Sequence, residues 1–103
     1  MKEIDRIQAL SNVFGPSGFE DEVSELVVQE LPEYTTIVDS MRNVRIDGKT
    51  TSGKPVVMFD AHLDEVGLIV QAIKPNGTMR ILALGGIQAA SLVANSFRIK
   101  TDK

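Results

Sequence analysis

Val56-Val57-Met58-Phe59-Asp60-Ala61-His62-Leu63-Asp64-Glu65-Val66-Gly67 is the stretch on which the reading of this chain turns. Its first four residues are continuously apolar, the pattern of a strand buried on both faces in a parallel sheet covered by helices. Polar residues follow at once. In open α/β sheets ligands bind beyond the carboxyl ends of the strands, so residues 60–65 stand where a site is expected. His62 is the one histidine of the chain. It lies two residues from Asp64, and in extended backbone two such side chains point the same way. A carboxylate placed there accepts from one imidazole nitrogen and leaves the other free for a metal, as around metal-bound histidines. Asp60 falls on the same side of the alternation, and Glu65 on the other. A lone histidine in a small domain is more often a surface residue or a satisfied core residue, and a catalytic zinc takes three protein ligands plus water. Spacing alone leaves open both a ligand and an ordinary polar turn.

Working outward, residues 67–73 form a second apolar strand, and Pro75-Asn76-Gly77 is a hairpin turn. Residues 79–84 pair back, Gly85-Gly86 breaks the run, and a last strand is expected over 97–101. Before the central stretch, residues 35–38 are β-branched and residues 43–46 alternate. Asp47-Gly48 and Ser52-Gly53 bound a polar loop. Two helices open the chain. Ile4, Ile7, Leu10 and Phe14 form one apolar stripe over residues 1–14, which Gly15-Pro16 terminates. Ser17 and Glu20 have capping-box spacing ahead of a helix whose apolar face is Phe19, Val23, Leu26 and Val27, stopping near Leu31-Pro32. The class is α/β, yet only half of an α/β layer is present. A covered parallel sheet needs helices on both faces, and the sequence stops at Thr101-Asp102-Lys103 directly after a strand. The expectation is a piece cut from a larger protein.

Composition narrows the function classes. Hydrophobic residues are 43% and charged residues 24% of 103, an ordinary globular balance that argues against disorder. A net charge of −3 and only 5% aromatics offer neither phosphate attraction nor a stacking platform, so no nucleic acid is expected. The absence of cysteine excludes disulfides, thiolate nucleophiles and Cys-ligated metal. No apolar run reaches membrane-spanning length and the first ten residues lack a signal-peptide apolar region, so no membrane and a cytoplasmic location are expected.

Ala61-His62-Leu63-Asp64-Glu65-Val66-Gly67 resembles the Ala-His-x-Asp-Glu-Val-Gly signature of the M42 family of metallo-aminopeptidases, whose members include glutamyl and deblocking aminopeptidases and proteins long described as glucanases or cellulases. Gly15-Pro16-Ser17-Gly18-Phe19-Glu20 resembles the family's Pro-Ser-Gly-x-Glu turn between its first two helices. The stretch 39–43 resembles its Asp-x-x-Gly-Asn segment. Leu84-Gly85-Gly86 and Phe97-Arg98-Ile99-Lys100-Thr101 resemble the start of its inserted β-rich domain. The resemblance runs over essentially the whole chain, and the heptapeptide is its specific part. It implies that residues 1–67 are the N-terminal part of a zinc-peptidase-like catalytic domain and residues 68–103 the beginning of a β-rich insertion used in oligomerisation. It implies hydrolysis of N-terminal peptide bonds with two divalent metals, zinc or cobalt, which polarise the scissile carbonyl and supply hydroxide. His62 would bind one metal and Asp64 would orient His62 as the catalytic carboxylate. The remaining ligands and the general base come from later family sequence. Residues 1–103 alone are therefore expected to be inactive and to hold no metal tightly. The implied partners are a peptide substrate and further copies of the chain, as a homo-oligomer.

One departure concerns a turn: Arg42 stands where the family has Gly. Residues 88–95 match the approach to the next strand poorly. Gly18 reads as a helix-entry glycine, Asp60 as a strand-end polar residue, and Glu65 equally as a site-lining residue or a solvated turn residue. Two other classes stay open: a glycoside hydrolase, which would need two carboxylates flanking a glycosidic bond rather than a histidine-centred metal site, and a non-catalytic interaction module.

Overall fold

The computed structural model describes residues 2–102; the expected helix start at Met1 and the terminal Lys103 lie outside the described residues. Helix α1 spans Glu3–Asn12 and α2 spans Asp21–Glu30. Strands β1, Thr35–Val38, and β2, Val44–Asp47, form one antiparallel hairpin with Thr35 opposite Asp47 and Val38 opposite Val44. Strands β3, Gly67–Ile73, and β4, Met79–Leu84, form a second, with Gly67 opposite Leu84 and Ile73 opposite Met79. A short 3₁₀ turn, Ala89–Leu92, follows. The fold is a mixture of helices and two antiparallel hairpins, divided into two compact units between Glu65 and Val66.

In the first unit the expected helices are present but shorter. Neither helix has a side-chain cap. The Ser17–Glu20 capping box does not form: α2 starts only at Asp21, and the Glu20 carboxylate instead accepts the Gly18 N–H at 2.7 Å. Gly18 takes φ +87°, a left-handed conformation that glycine adopts without cost. Of the expected apolar face of α2, Val23 is the buried position at 6% exposure, and it packs against the backbone of Gly15. The β1–β2 turn is organised by Asp39. Its carboxylate accepts the N–H groups of Met41 at 2.8 Å and Asn43 at 3.0 Å and the Asn43 side-chain amide at 2.9 Å. These bonds, led by the Asn43 side chain, stabilise the charged form and hold its pKa below the usual carboxylate value. Arg42 lies at φ +66° in this turn and its guanidinium pairs with Asp21 in the first turn of α2.

Residues 56–59 depart from the sequence reading. They are not a buried strand: no strand pairs with them, and Val56, Val57, Met58 and Phe59 are 77, 71, 85 and 93% exposed. The physical reason is the supply of partners. A strand buried on both faces needs a neighbour on each edge and a covering layer on each face. Here β1 and β2 pair with each other, and the helices are ten residues apiece. The expected strand over 97–101 is also absent, the segment having no regular secondary structure.

The hairpin of the second unit follows its sequence closely. Lys74-Pro75-Asn76-Gly77-Thr78 closes the hairpin with a 2.8 Å bond from the Lys74 N–H to the Thr78 carbonyl. Gly77 sits at φ +82°, and the Asn76 side-chain oxygen accepts from the Thr78 N–H and hydroxyl. An irregularity between Val70 and Ala72 places Gln71 in a bulge. Gly85 at φ +84° ends the pairing.

Candidate functional site

Residues 60–64 run without regular secondary structure to Glu65, where a parallel bridge joins the chain to Pro16. The Glu65 N–H donates to the Gly15 carbonyl at 2.9 Å, and the Gly15 N–H donates back to the Glu65 side-chain Oε1 at 3.3 Å. The glycine is required there by space: a β-carbon on Gly15 would collide with the Val23 side chain and lie 3.9 Å from the Leu63 carbonyl oxygen. The turn that ends α1 and the segment that carries the histidine are therefore tied at one point.

Just before that tie, His62 Nδ1 lies 3.0 Å from Asp64 Oδ1 and 2.9 Å from the Asp64 carbonyl oxygen. Both partners are acceptors, so Nδ1 carries the proton and donates, and in the neutral ring Nε2 keeps its lone pair. The His62 side chain is 85% exposed and that of Asp64 40%. An outward imidazole with a free nitrogen and a carboxylate fixing its tautomer can act as one ligand of a metal. It is not a metal centre by itself: among the described residues no three His, Cys, Asp or Glu side chains converge. The donor set fits a contribution of one ligand and no more.

Sequence spacing brought His62 and Asp64 together, and the contact is made. Asp60 is exposed, with no bond to the pair described. Glu65 is exposed, as a turn residue would be, and makes no hydrogen bond to the pair among those described, yet its carboxylate is engaged. Its role as the partner of Gly15 lies 50 positions away in sequence. The available signal was the Gly15-Pro16 pair itself, read only as a helix stop.

The sequence profile of the M42 glutamyl aminopeptidase family matches residues 42–103. The chain is 33% identical over 89 residues to the glutamyl aminopeptidase of Lactococcus lactis, an alignment that covers 84% of this chain and 25% of that protein. It is 35% identical over 92 residues to the lysyl aminopeptidase of Pyrococcus furiosus, covering 86% and 26%. The crystal structure of a TET aminopeptidase from a marine-sediment Thaumarchaeota archaeon superposes with a TM-score of 0.72 at 33% identity, over 81% of this chain and 23% of that one. The chain thus spans about a quarter of the length of the relatives it matches. With the profile matching well over half of its residues, this chain belongs to the M42 glutamyl aminopeptidase family.

Proposed function

We propose that these residues serve a metal-dependent aminopeptidase, in which His62 supplies one metal ligand through Nε2 and Asp64 holds its tautomer. The observation that carries the reading is the His62 Nδ1–Asp64 contact within a chain of this family. Two divalent ions, zinc or cobalt, would be completed by ligands outside residues 1–103. A bound metal of this kind supplies carbonyl polarisation and a water made acidic enough to attack at neutral pH. The chain's own part is to present Nε2, keep the proton on Nδ1 and hold the segment against the turn at Gly15. Residues 1–67 belong to the catalytic domain and residues 68–103 open the β-rich insertion, in a cytoplasmic homo-oligomer acting on peptides. No helix among the described residues is long and apolar enough to cross a membrane. The 103 residues alone hold no tight metal and have no activity.

The test is release of free amino acids from peptides with N-terminal Glu or Lys by the enzyme that contains these residues. Chelation should abolish release and added zinc or cobalt restore it. Asp64→Asn should lower activity by roughly 10- to 100-fold, the cost of losing the partner of a ligating histidine. Release that survives chelation, or sugar release from a glucan without amino-acid release, overturns the reading.

A further inference from the structure

We propose that Glu65 is a positioning residue that holds the His62–Asp64 pair in place by gripping Gly15 with both its main chain and its side chain. The inference rests on the reading of His62 as a ligand, and it assigns the support that ligand needs. An exposed imidazole is a precise donor only if its backbone is fixed, because a ligand displaced by an ångström loses its geometry. Residues 60–64 have no ladder of their own, and His62 and Asp64 bond only to each other among the hydrogen bonds described.

Glu65 supplies the fixed point. Its N–H donates to the Gly15 carbonyl at 2.9 Å and its Oε1 accepts the Gly15 N–H at 3.3 Å, so both polar groups of one glycine are held by one residue. The side-chain bond adds an orientation that a single main-chain bond leaves free. The glycine end is fixed in turn by Val23, the buried apolar residue of α2, which occupies the space a β-carbon on Gly15 would take. The chain of contacts runs from α2 through Val23 and Gly15 to Glu65, and from there one residue back to Asp64. Glu65 makes no hydrogen bond to His62 among those described and, by this assignment, touches no metal or substrate. It acts through the backbone.

The test reads the His62 tautomer by nitrogen NMR of the 103-residue chain without metal, at a pH where imidazole is neutral. In the native chain the proton is expected on Nδ1. Glu65→Ala should lose that single tautomer and give a mixture with the proton on Nε2. Glu65→Gln, which keeps an oxygen acceptor for the Gly15 N–H, should retain it. Gly15→Ala, which leaves Glu65 intact but displaces its partner against Val23, should reproduce the Glu65→Ala spectrum. A Glu65→Ala chain with the native tautomer, or Gln and Ala variants that shift alike, overturns the proposal. Should the Ala variant fail to fold, the native chain decides. Its Glu65 amide is expected to exchange with solvent at least about tenfold more slowly than the amides of residues 61–63, and equal exchange overturns the proposal. None of these readouts involves metal or peptide, so a protein without aminopeptidase activity could still pass, and an active one could still fail.

Discussion

Asp39 and Arg42 show how two residues set a turn by opposite means. Asp39 is satisfied three times over by the segment it closes, and this lowers the pKa of its carboxyl. A depressed folded-state value gives stability that is present in full above the usual carboxylate pKa and is lost as pH falls through the folded value. The amide resonances of Met41 and Asn43 should therefore titrate together in acid, with a midpoint below that of a free aspartate, and Asp39→Asn should abolish the transition. Arg42 instead occupies left-handed backbone, which costs a non-glycine residue about 1–2 kcal/mol. Its ion pair with Asp21 is exposed and worth about 0.2–1 kcal/mol. Replacement by glycine relieves the first term, loses the second and adds about 0.5–1 kcal/mol of backbone entropy in the unfolded chain. Arg42→Gly should thus change stability by less than about 1 kcal/mol, whereas Arg42→Val, β-branched and without the ion pair, should destabilise by about 1–2 kcal/mol. Urea unfolding of the three proteins checks the order. The sequence comparison marked Arg42 only as a departure from Gly; the positive φ explains why a glycine is natural there.

At the scale of elements, legibility tracks how local the determinants are. The β3–β4 hairpin reads directly from its sequence because its strands, turn and breaker are contiguous: Gly67–Ile73 and Met79–Leu84 have the bounds expected from apolar runs around Pro75-Asn76-Gly77. The two glycines of this hairpin allow a comparison. Both Gly77 and Gly85 have positive φ, but a β-carbon on Gly77 meets open space, whereas one on Gly85 lies 3.1 Å from Val66 Cγ1. Gly77→Ala should cost about 1 kcal/mol of backbone strain, and Gly85→Ala should cost more, by an amount that Val66→Ala partly restores. Thermal melts of the single and double variants separate strain from contact. The α2 start was misread because Glu20, a residue with two competing acceptor roles, bonds the Gly18 N–H two residues back rather than completing a box with Ser17. Residues 56–59 were misread for a different reason. Apolar continuity reports what a segment would bury, not whether partner strands are there to bury it. The same limit applies to the candidate site: the His62–Asp64 contact is local and was legible, while the Gly15–Glu65 tie depends on a meeting of distant segments that no window of sequence displays.

For the molecule as a whole, the sparse interior is the governing fact. Val23 is the buried hydrophobic residue among those described, and the large apolar side chains at 56–59 face solvent. Unpaired strand edges and contiguous apolar surface recruit other chains. The 103-residue protein should therefore associate as its concentration rises, through strand pairing or exchanged elements at residues 56–59. Light scattering across a dilution series measures this. Phe59→Lys should shift association to higher concentration, and a native chain that stays a monodisperse monomer would show that this surface is tolerated unpartnered.

The tie between Gly15 and Glu65 also orders events in time. It closes a loop of 50 residues, whereas the β3–β4 hairpin closes over the five residues between Ile73 and Met79. Loop entropy grows by about 0.6 kcal/mol for each doubling of length, so three doublings make the long closure roughly 2 kcal/mol more costly. Hairpins of the short kind form within about 1–10 μs. The cost difference predicts that the histidine segment is placed after the hairpin. In stopped-flow experiments Glu65→Ala should accelerate unfolding and leave the refolding rate nearly unchanged, the signature of a contact absent from the transition state. A refolding chain would then carry its finished hairpin before His62 stands where a metal could find it.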